Sequence, residues 1–506
     1  MVDEGGVLMN DATRNLKSNR MLFIDDSLIE QRMDIVLTPN APQKRGPVVL
    51  QDRPWRSKLA GYYGTVIADG GLYKMWTNCG EGDTTLDGTE QGYGINYGKR
   101  RYMQLLISVD GVHWESPSLG VVDFRGSTDN NLVMSNSNME GTVFLDPQAA
   151  DSEKFKFLTH NPWPSYGLHL FSSADGIRWS MHDERLLSYL FDSQTVVFWD
   201  ASIGKYVCYL RGWDSLAAPA PGGGGQSSHR RARTVVRVEV ERLEELRQLQ
   251  RLEDLTSEKP VYFVDRLPAV LRCDELDPPN TDIYTNAVVK YPLADDVYLA
   301  FPAVYSKFPA SRDHRNDGML EVQMAVSRDG KDWNRIRQPY FRSGPVGEID
   351  SASTYMFAGM IAKETEIYQY YWGSQYTHGG RDLFARWNET NMNAIHLVSQ
   401  RIDGFVSADA PYSGGMLVTK PFRFTGGQLI INIDTSATGT ADVALLDEAG
   451  REIEGYELES CDTIKGNFIN RVVSWQGNAD VSRVQGQPVK LRFTMRNAKL
   501  YSFRFA

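Results

Sequence analysis

Apolar and polar residues alternate along most of the chain in short runs bounded by Gly, Asp and Asn. RYMQLLISV, GLHLFSS and LEVQMAVS are rich in residues that suit a pleated sheet, and each leads into the same device. SVDGVHW at Ser108–Trp114, SADGIRW at Ser173–Trp179 and SRDGKDW at Ser327–Trp333 hold a serine, an Asp-Gly pair and a tryptophan in fixed register. With 11 tryptophans in 506 residues, a chance match at one set position is about one in fifty, so three matches mark a repeat. Asp-Gly tolerates the positive φ of a two-residue hairpin turn. Each copy is therefore expected to be a hairpin tip, with its tryptophan on the returning strand sealing one sheet edge against the next.

The distances between copies give the period. Asp110 and Asp175 are 65 residues apart, Asp175 and Asp329 are 154 apart, and Asp329 and Asp403, in the related SQRIDGF, are 74 apart. The middle interval holds two periods, with a degenerate copy near Val235–Leu255. A second repeat, a strand pair around an acidic turn, opens each unit: GTVIADGGLYKMW, GTVFLDPQAADSEKFKFL, TVVFWDASIGKYVCYL, NAVVKYPLADDVYLAF and TYMFAGMIAKETEIYQYYW. One four-stranded sheet cannot bury both faces alone, and repeats of this length read as propeller blades. Five are expected, spanning residues 61–116, 131–181, 191–255, 281–333 and 347–407.

Two stretches depart from the blade pattern. After AAPAPGGGGQSS, a flexible loop by composition, VRVEVERLEELRQLQRLEDL turns helical in composition, with leucines at 243, 246, 249, 252 and 255. Three-residue spacing drifts around an α-helix, so a short or bent helix outside the third blade is expected. After Ala410 the chain shows short alternating strands at about ten-residue spacing and no blade motif, the pattern of a β-sandwich. The expected fold class is all-β: a five-bladed β-propeller over residues 51–410, a C-terminal β-sandwich over 411–506, and an N-terminal segment, 1–50, packing on the propeller.

Composition narrows the partners. No apolar run approaches the roughly 20 residues that span a bilayer, and a net charge of −10 argues against nucleic acid, whose phosphates need clustered Lys and Arg. HRRAR at His229–Arg233 reads as a solvated loop edge. The four cysteines lie far apart without CxxC spacing, which argues against structural zinc, and Cys208 in KYVCYL is expected to be a buried free thiol. MVDEGGVLMNDATRN has neither the basic nor the apolar region of a secretory signal, so a soluble, cytoplasmic protein is expected. GxGxxG after a strand, GxxxxGK[ST], HExxH and GxSxG are all absent, which removes the usual support for nucleotide, zinc-protease and serine-hydrolase chemistry.

In a propeller the first strand of each blade lines the channel, so the residues just before those strands meet at one mouth. They are Tyr62, Tyr63 and Gly64; Glu140 and Gly141; Asp192, Ser193 and Gln194; Asp282, Tyr284 and Asn286; and Glu348, Asp350 and Ser351. Glycoside cleavage needs one protonated carboxyl to assist the leaving group and one ionised carboxylate to attack or to activate water. Glu140, Asp192, Asp282, Glu348 and Asp350 are the candidate catalytic residues. Tyr63, Gln194, Tyr284 and Asn286, with Arg312, His314 and Arg315 of SRDHRNDG and His378 of WGSQYTHGG, are the candidate substrate contacts. Trp55, Tyr62, Trp163, Trp213 and Tyr376 add faces on which a sugar ring could stack. No cofactor is expected to be required, though a divalent cation held in the channel by carboxylates and water would suit the scheme.

The order of LFIDDSLIE, the SxDGxxW hairpins with SLGVVDFRGSTDNNLV after the first, FDSQTVVFWDASIGKYVCYLR, and YELESCDTIKGNFINRVVSW ending in LYSFRF resembles a bacterial group described as glycoside-hydrolase-like. That group is similar in architecture to the five-bladed propeller enzymes of the invertase/levanase and arabinanase/xylosidase families, and the resemblance runs from Met21 to Ala506. It implies a carbohydrate-active enzyme on an oligosaccharide or glycoside, with Asp192 the ionised carboxylate, Glu140 or Glu348 the general acid, and a sandwich that supports the propeller. The first-blade aspartate of those enzymes is missing from GYYGTVIADG, a place Asp25 or Asp26 could fill if the N-terminal segment folds back to the mouth. Alternatives are a non-catalytic carbohydrate-binding propeller, a phosphorolytic enzyme using Arg312 and Arg315, and a protein-interaction scaffold.

Overall fold

The computed structural model describes residues 14–16, 20–81, 101–135, 140–160, 167–188, 193–214, 232–250, 267–307, 318–378 and 392–506. These residues form strands joined by turns and a few short 3-10 helices, so the chain is all-β as expected. It divides into two compact units, one of residues 41–291 with 296–400, the other of residues 1–40 with 292–295 and 401–506.

In the larger unit, consecutive strands joined by turns pair antiparallel with their predecessors. This gives three four-stranded sheets in which spatial order is chain order. The first is Gly64–Asp69, Leu72–Gly80, Arg101–Ser108 and Leu132–Ser135. The second is Thr142–Leu145, Phe155–His160, Leu168–Ser173 and Ser180–Met181, and the third Val196–Asp200, Lys205–Asp214, Ala232–Val240 and Ala269–Leu271. A fourth group, with Thr281–Ile283, Ala303–Lys307, Gly318–Ser327 and Asn334–Pro339, meets a fifth, with Ser353–Met356, Glu366–Ser374 and Asn393–Arg401, through the single parallel pair Leu320 with Ser353. The fifth takes its outer strand, Gln43–Val49, from the start of the chain.

Hydrogen bonds link these groups near their first strands. The Val143 amide donates to Thr65 Oγ1 and the Val197 amide to Thr142 Oγ1, each at 3.2 Å. Asn286 Nδ2 donates to the Gln194 carbonyl at 3.1 Å, and Thr354 Oγ1 to the Leu320 carbonyl at 3.2 Å. The fifth group returns to the first, with Val66 N–H on Ala358 O at 3.1 Å and Ala358 N–H on Gly64 O at 2.9 Å.

The Asp-Gly repeat is not the expected two-residue turn. Ile107 pairs with Glu115, Ser172 with Ser180 and Val326 with Asn334, so the connection is the whole motif from serine to tryptophan. Its glycines alone carry positive φ, at 81°, 75° and 70°. The loop bonds itself: Ser108 Oγ accepts from the Asp110 and Gly111 amides, and Asp110 Oδ1 from those of Val112 and His113, with matching bonds in the other two copies. The glycine carbonyl is left free to accept from a neighbouring sheet. Tyr370 Oη donates to Gly111 O at 2.5 Å, Trp76 Nε1 to Gly176 O at 2.7 Å and Tyr209 Oη to Gly330 O at 2.9 Å. Trp179 and Trp333 of the motif itself donate to the same carbonyls.

Leu243–Leu249 is a 3-10 helix with Leu243 and Leu246 buried. Three residues per turn put them on one side, so the leucine spacing that cannot stripe an α-helix fits this tighter one. All four cysteines are free, and Cys208 is buried. Among the described residues no helix is long and apolar enough to cross a membrane.

The smaller unit draws on both ends of the chain. Ile29–Met33 pairs with Gly415–Thr419, Val36–Pro39 with Val406–Ala410 and Met21–Leu22 with Ala498–Phe505. These strands belong to two six-stranded sheets. A core containing Phe23, Phe422, Phe424, Phe493, Phe503 and Phe505 joins them, with Phe424 and Phe505 stacked at 3.7 Å.

Candidate functional site

The third sheet supplies the cationic side of a cluster in the larger unit. Successive side chains of a strand point to opposite faces, so Arg211 and Trp213 of Lys205–Asp214 share a face with Arg233, which is paired directly opposite Trp213. Arg211 Nη2 donates to the Tyr284 carbonyl at 2.9 Å, and its guanidinium lies 4.6 Å from the Tyr284 ring centroid. The Arg233 guanidinium lies 5.0 Å from the same centroid and 5.2 Å from that of Trp213. Arg233 Nη1 and Lys307 Nζ each stand 2.7 Å from Asp282 Oδ2. This buried carboxylate therefore serves as countercharge to two cations.

Tyr284 is also the centre of an aromatic cluster. Its ring lies 5.7 Å from Tyr355, 5.9 Å from Tyr305 and 5.0 Å from His378, whose Nε2 is 2.9 Å from Tyr284 Oη. Tyr355 continues to Tyr63 at 5.9 Å and Trp372 at 5.3 Å, and Tyr63 to Tyr62 at 4.5 Å. The Tyr62 and Tyr63 amides both donate to Asn78 Oδ1, which fixes the bend that presents this pair. Arg101 bonds Tyr62 Oη. Burial, reinforced by the neighbouring Tyr284, pushes the Tyr63 and Tyr355 phenols well above the usual tyrosine range, so both are neutral donors.

Glu140 is buried beside this cluster at 7% exposure. Its carbonyl accepts from the Thr195 amide at 2.7 Å, and its charge acts on Tyr63. The arrangement thus brings together Tyr63, Glu140, Asp282, Tyr284 and His378 of the residues picked from sequence. Gln194 and Asn286 are buried next to it, Asn286 on the Gln194 carbonyl and Gln194 Nε2 3.5 Å from the Met356 carbonyl. Asp192, Arg312, His314 and Arg315 lie outside the described residues, as does Trp163. Glu348 is exposed in a turn, and its carboxylate forms no hydrogen bond or ion pair among the described residues.

Asp350 belongs to a separate network. It accepts from Lys44 Nζ at 2.6 Å and Tyr371 Oη at 2.7 Å, and the His396 ring stacks on Tyr371 at 4.9 Å. Burial lowers His396 to about 4, against the pull of Asp350. Between that value and the ordinary 6.5 the unfolded chain binds the extra proton, so stability falls as pH drops through this window. From pH 7 to pH 5 the loss from this group is about 2 kcal/mol. Urea midpoints should show it, and His396→Phe should flatten the slope.

Sequence reasoning missed Arg211, Arg233, Lys307 and Tyr355. Arg211 had a legible signal, a guanidinium two places from Trp213 in an otherwise apolar alternating strand. Arg233 had been read with HRRAR as solvated, but its side chain is only 18% exposed, because Asp282 and two aromatic rings enclose it. Among the described residues no group of three or more His, Cys, Asp or Glu side chains could hold a metal ion. Chemically, the cluster offers π faces, neutral phenol donors, guanidinium donors and the buried Glu140 carboxyl.

No family model and no curated protein matches the chain. Solved structures to which it is similar include one described as a glycoside hydrolase, 13% identical, covering 71% of this chain and 92% of that one at a TM-score of 0.42. Another is a glycoside hydrolase family 43 arabinoxylan arabinofuranohydrolase from Bacillus subtilis in complex with cellotetraose, 11% identical over 90% of this chain and 96% of that one, TM-score 0.38. A third is an N-acetylgalactosamine deacetylase from F. plautii in complex with blood group B trisaccharide, 11% identical over 73% and 96%, TM-score 0.40.

Proposed function

We propose that the larger unit is a five-bladed β-propeller, the smaller a β-sandwich, and the Tyr284 cluster the mouth at which a glycoside is hydrolysed. Five strand groups in chain order, bonded near their first strands with the fifth returning to the first, support the radial arrangement. The observation that carries the chemistry is Glu140, a buried residue whose carboxyl acts electrostatically on the neutral Tyr63 phenol at the start of the first sheet. Aromatic faces suit a sugar ring, and a carboxyl kept from bulk water suits proton donation to a leaving oxygen.

Glu140 is assigned the general acid and Asp192 the ionised partner that attacks or activates water. Asp192 precedes Ser193 in the chain, and Ser193 Oγ donates to the Tyr284 carbonyl at 2.9 Å. Water ends on the anomeric carbon, and the proton from Glu140 on the departing oxygen. The test is a panel of aryl glycosides and plant and algal oligosaccharides, assayed for sugar release by the full chain and by Asp192→Asn. Release by the wild type and none by the variant, with an unchanged melting curve, is the expected result. Full activity in Asp192→Asn would remove Asp192 from the mechanism, and binding without turnover across the panel would overturn hydrolysis in favour of a lectin-like role. Arg211 and Arg233 favour phosphorolysis as the second reading, selected by sugar 1-phosphate formed only when phosphate is present.

A further inference from the structure

We propose that a cavity between the second and third sheets, away from the Tyr284 cluster, binds an aliphatic diamine, an organic dication. Glu140 and Thr195, bonded carbonyl to amide, stand just before Thr142–Leu145 and Val196–Asp200. The cavity lies where these strands end, at Asp146 and Trp199, roughly 15 Å further on at the rise of extended chain. Its volume of about 320 Å³ is within the range of small-molecule sites.

The cavity's buried carboxylate has no counter-charge. Asp146 is 5% exposed. Tyr206 Oη donates to it, 2.9 Å from each oxygen, and the Gln148 amide donates to Oδ1 at 3.0 Å, but it forms no ion pair among the described residues. A carboxylate can accept more than these two donors supply, so Oδ2 keeps capacity for another. A buried carboxylate without a cation is costly. Glu241 and Glu244 line the same cavity, exposed, and their carboxylates likewise form no hydrogen bond or ion pair among the described residues. Both cations of the lining are already met, Lys156 by Glu153 and Arg242 by Glu245. Three carboxylates of the lining therefore await positive charge.

The other walls say what kind of cation fits. Among the described residues no three acidic, histidine or cysteine side chains are grouped so as to hold a metal ion, so the carboxylates call for a cation that reaches them separately. Trp199 pairs directly with Tyr206 across two strands, their rings 4.9 Å apart, and neither ring carries a cation on its face among the described residues. Such rings accept both methylene groups and ammonium. An aliphatic diamine has the matching parts: one ammonium to donate to Asp146, a chain to lie on the rings, and a second ammonium for Glu241 or Glu244.

Calorimetry on the full chain compares putrescine and cadaverine with butylamine, 1,4-butanediol and calcium chloride. At least one diamine should bind about tenfold or more tightly than butylamine, the worth of a charge-assisted contact, should weaken as salt rises and should raise the melting temperature, while butanediol should not bind. Asp146→Asn should cost the diamine about tenfold or more. Glu244→Gln, at an exposed position where folding is not at stake, should cost about two- to fivefold. Butylamine binding as tightly as the diamines overturns the inference, and so does binding of calcium without binding of amines. Unchanged diamine affinity in both variants, each with native melting, places the amine elsewhere and overturns it too, as does binding of no amine at all. None of these outcomes touches the glycoside reading, whose residues lie at the other end of the strands.

Discussion

Glu140→Gln is expected to lose about 10²- to 10⁴-fold in kcat/KM on an aryl glycoside, the usual worth of a positioned general acid. The exchange is nearly isosteric, and the Glu140 carbonyl that accepts from the Thr195 amide is untouched, so the melting curve should stay close to that of the wild type. Leaving-group dependence separates acid catalysis from mere positioning. A dinitrophenyl glycoside departs without protonation and should lose far less than a phenyl glycoside. The limb of the pH profile that reports the acid should also vanish in the variant. Equal losses on both leaving groups, or none on either, would take the proton-donating role away from Glu140.

How much of this was legible in the sequence depends on whether a residue's partner is near it along the chain. Strand runs and the Asp-Gly motif were readable because alternation and turn chemistry are local, and Ser108, Asp110 and Gly111 bond one another within a few residues. The loop's size was misread because Asp-Gly also serves as the start of a self-bonded loop, a distinction made by Asp110 Oδ1 capturing two amides rather than by residue type. Acids at strand entrances were found, but their company was not. Asp282 had been grouped with Asp350, yet one is held by Arg233 and Lys307 and the other by Lys44 and Tyr371. Those cations come from strands whose pairing no local pattern encodes, including Gln43–Val49, which crosses to the far end of the unit in sequence. The leucines at 243 and 246 show the reverse case: their three-residue spacing is local, and the short helix it predicts is the 3-10 helix Leu243–Leu249.

Gly176→Ala is expected to destabilise the protein by about 3–5 kcal/mol, against about 1 kcal/mol for Gly204→Ala. Both glycines have positive φ, 75° and 66°, so both variants suffer the left-handed penalty of a side chain. They differ in what the new methyl meets. At Gly204 nothing lies within 4 Å, whereas at Gly176 the added carbon would stand 2.5 Å from Trp76 Cζ2. Trp76 is fully buried and cannot swing away, and moving the loop instead would break the bond from Trp76 Nε1 to the Gly176 carbonyl. Urea unfolding measures both terms, and equal losses in the two variants would show that the loop–tryptophan contact contributes nothing. If the sheets unfold together, Gly176→Ala should shift the midpoint at constant m, because a contact between the first and second sheets then stabilises the whole unit. A lowered m would mean that the second sheet detaches before the rest, and that the tyrosine and tryptophan donors on glycine carbonyls are what make the unit cooperative.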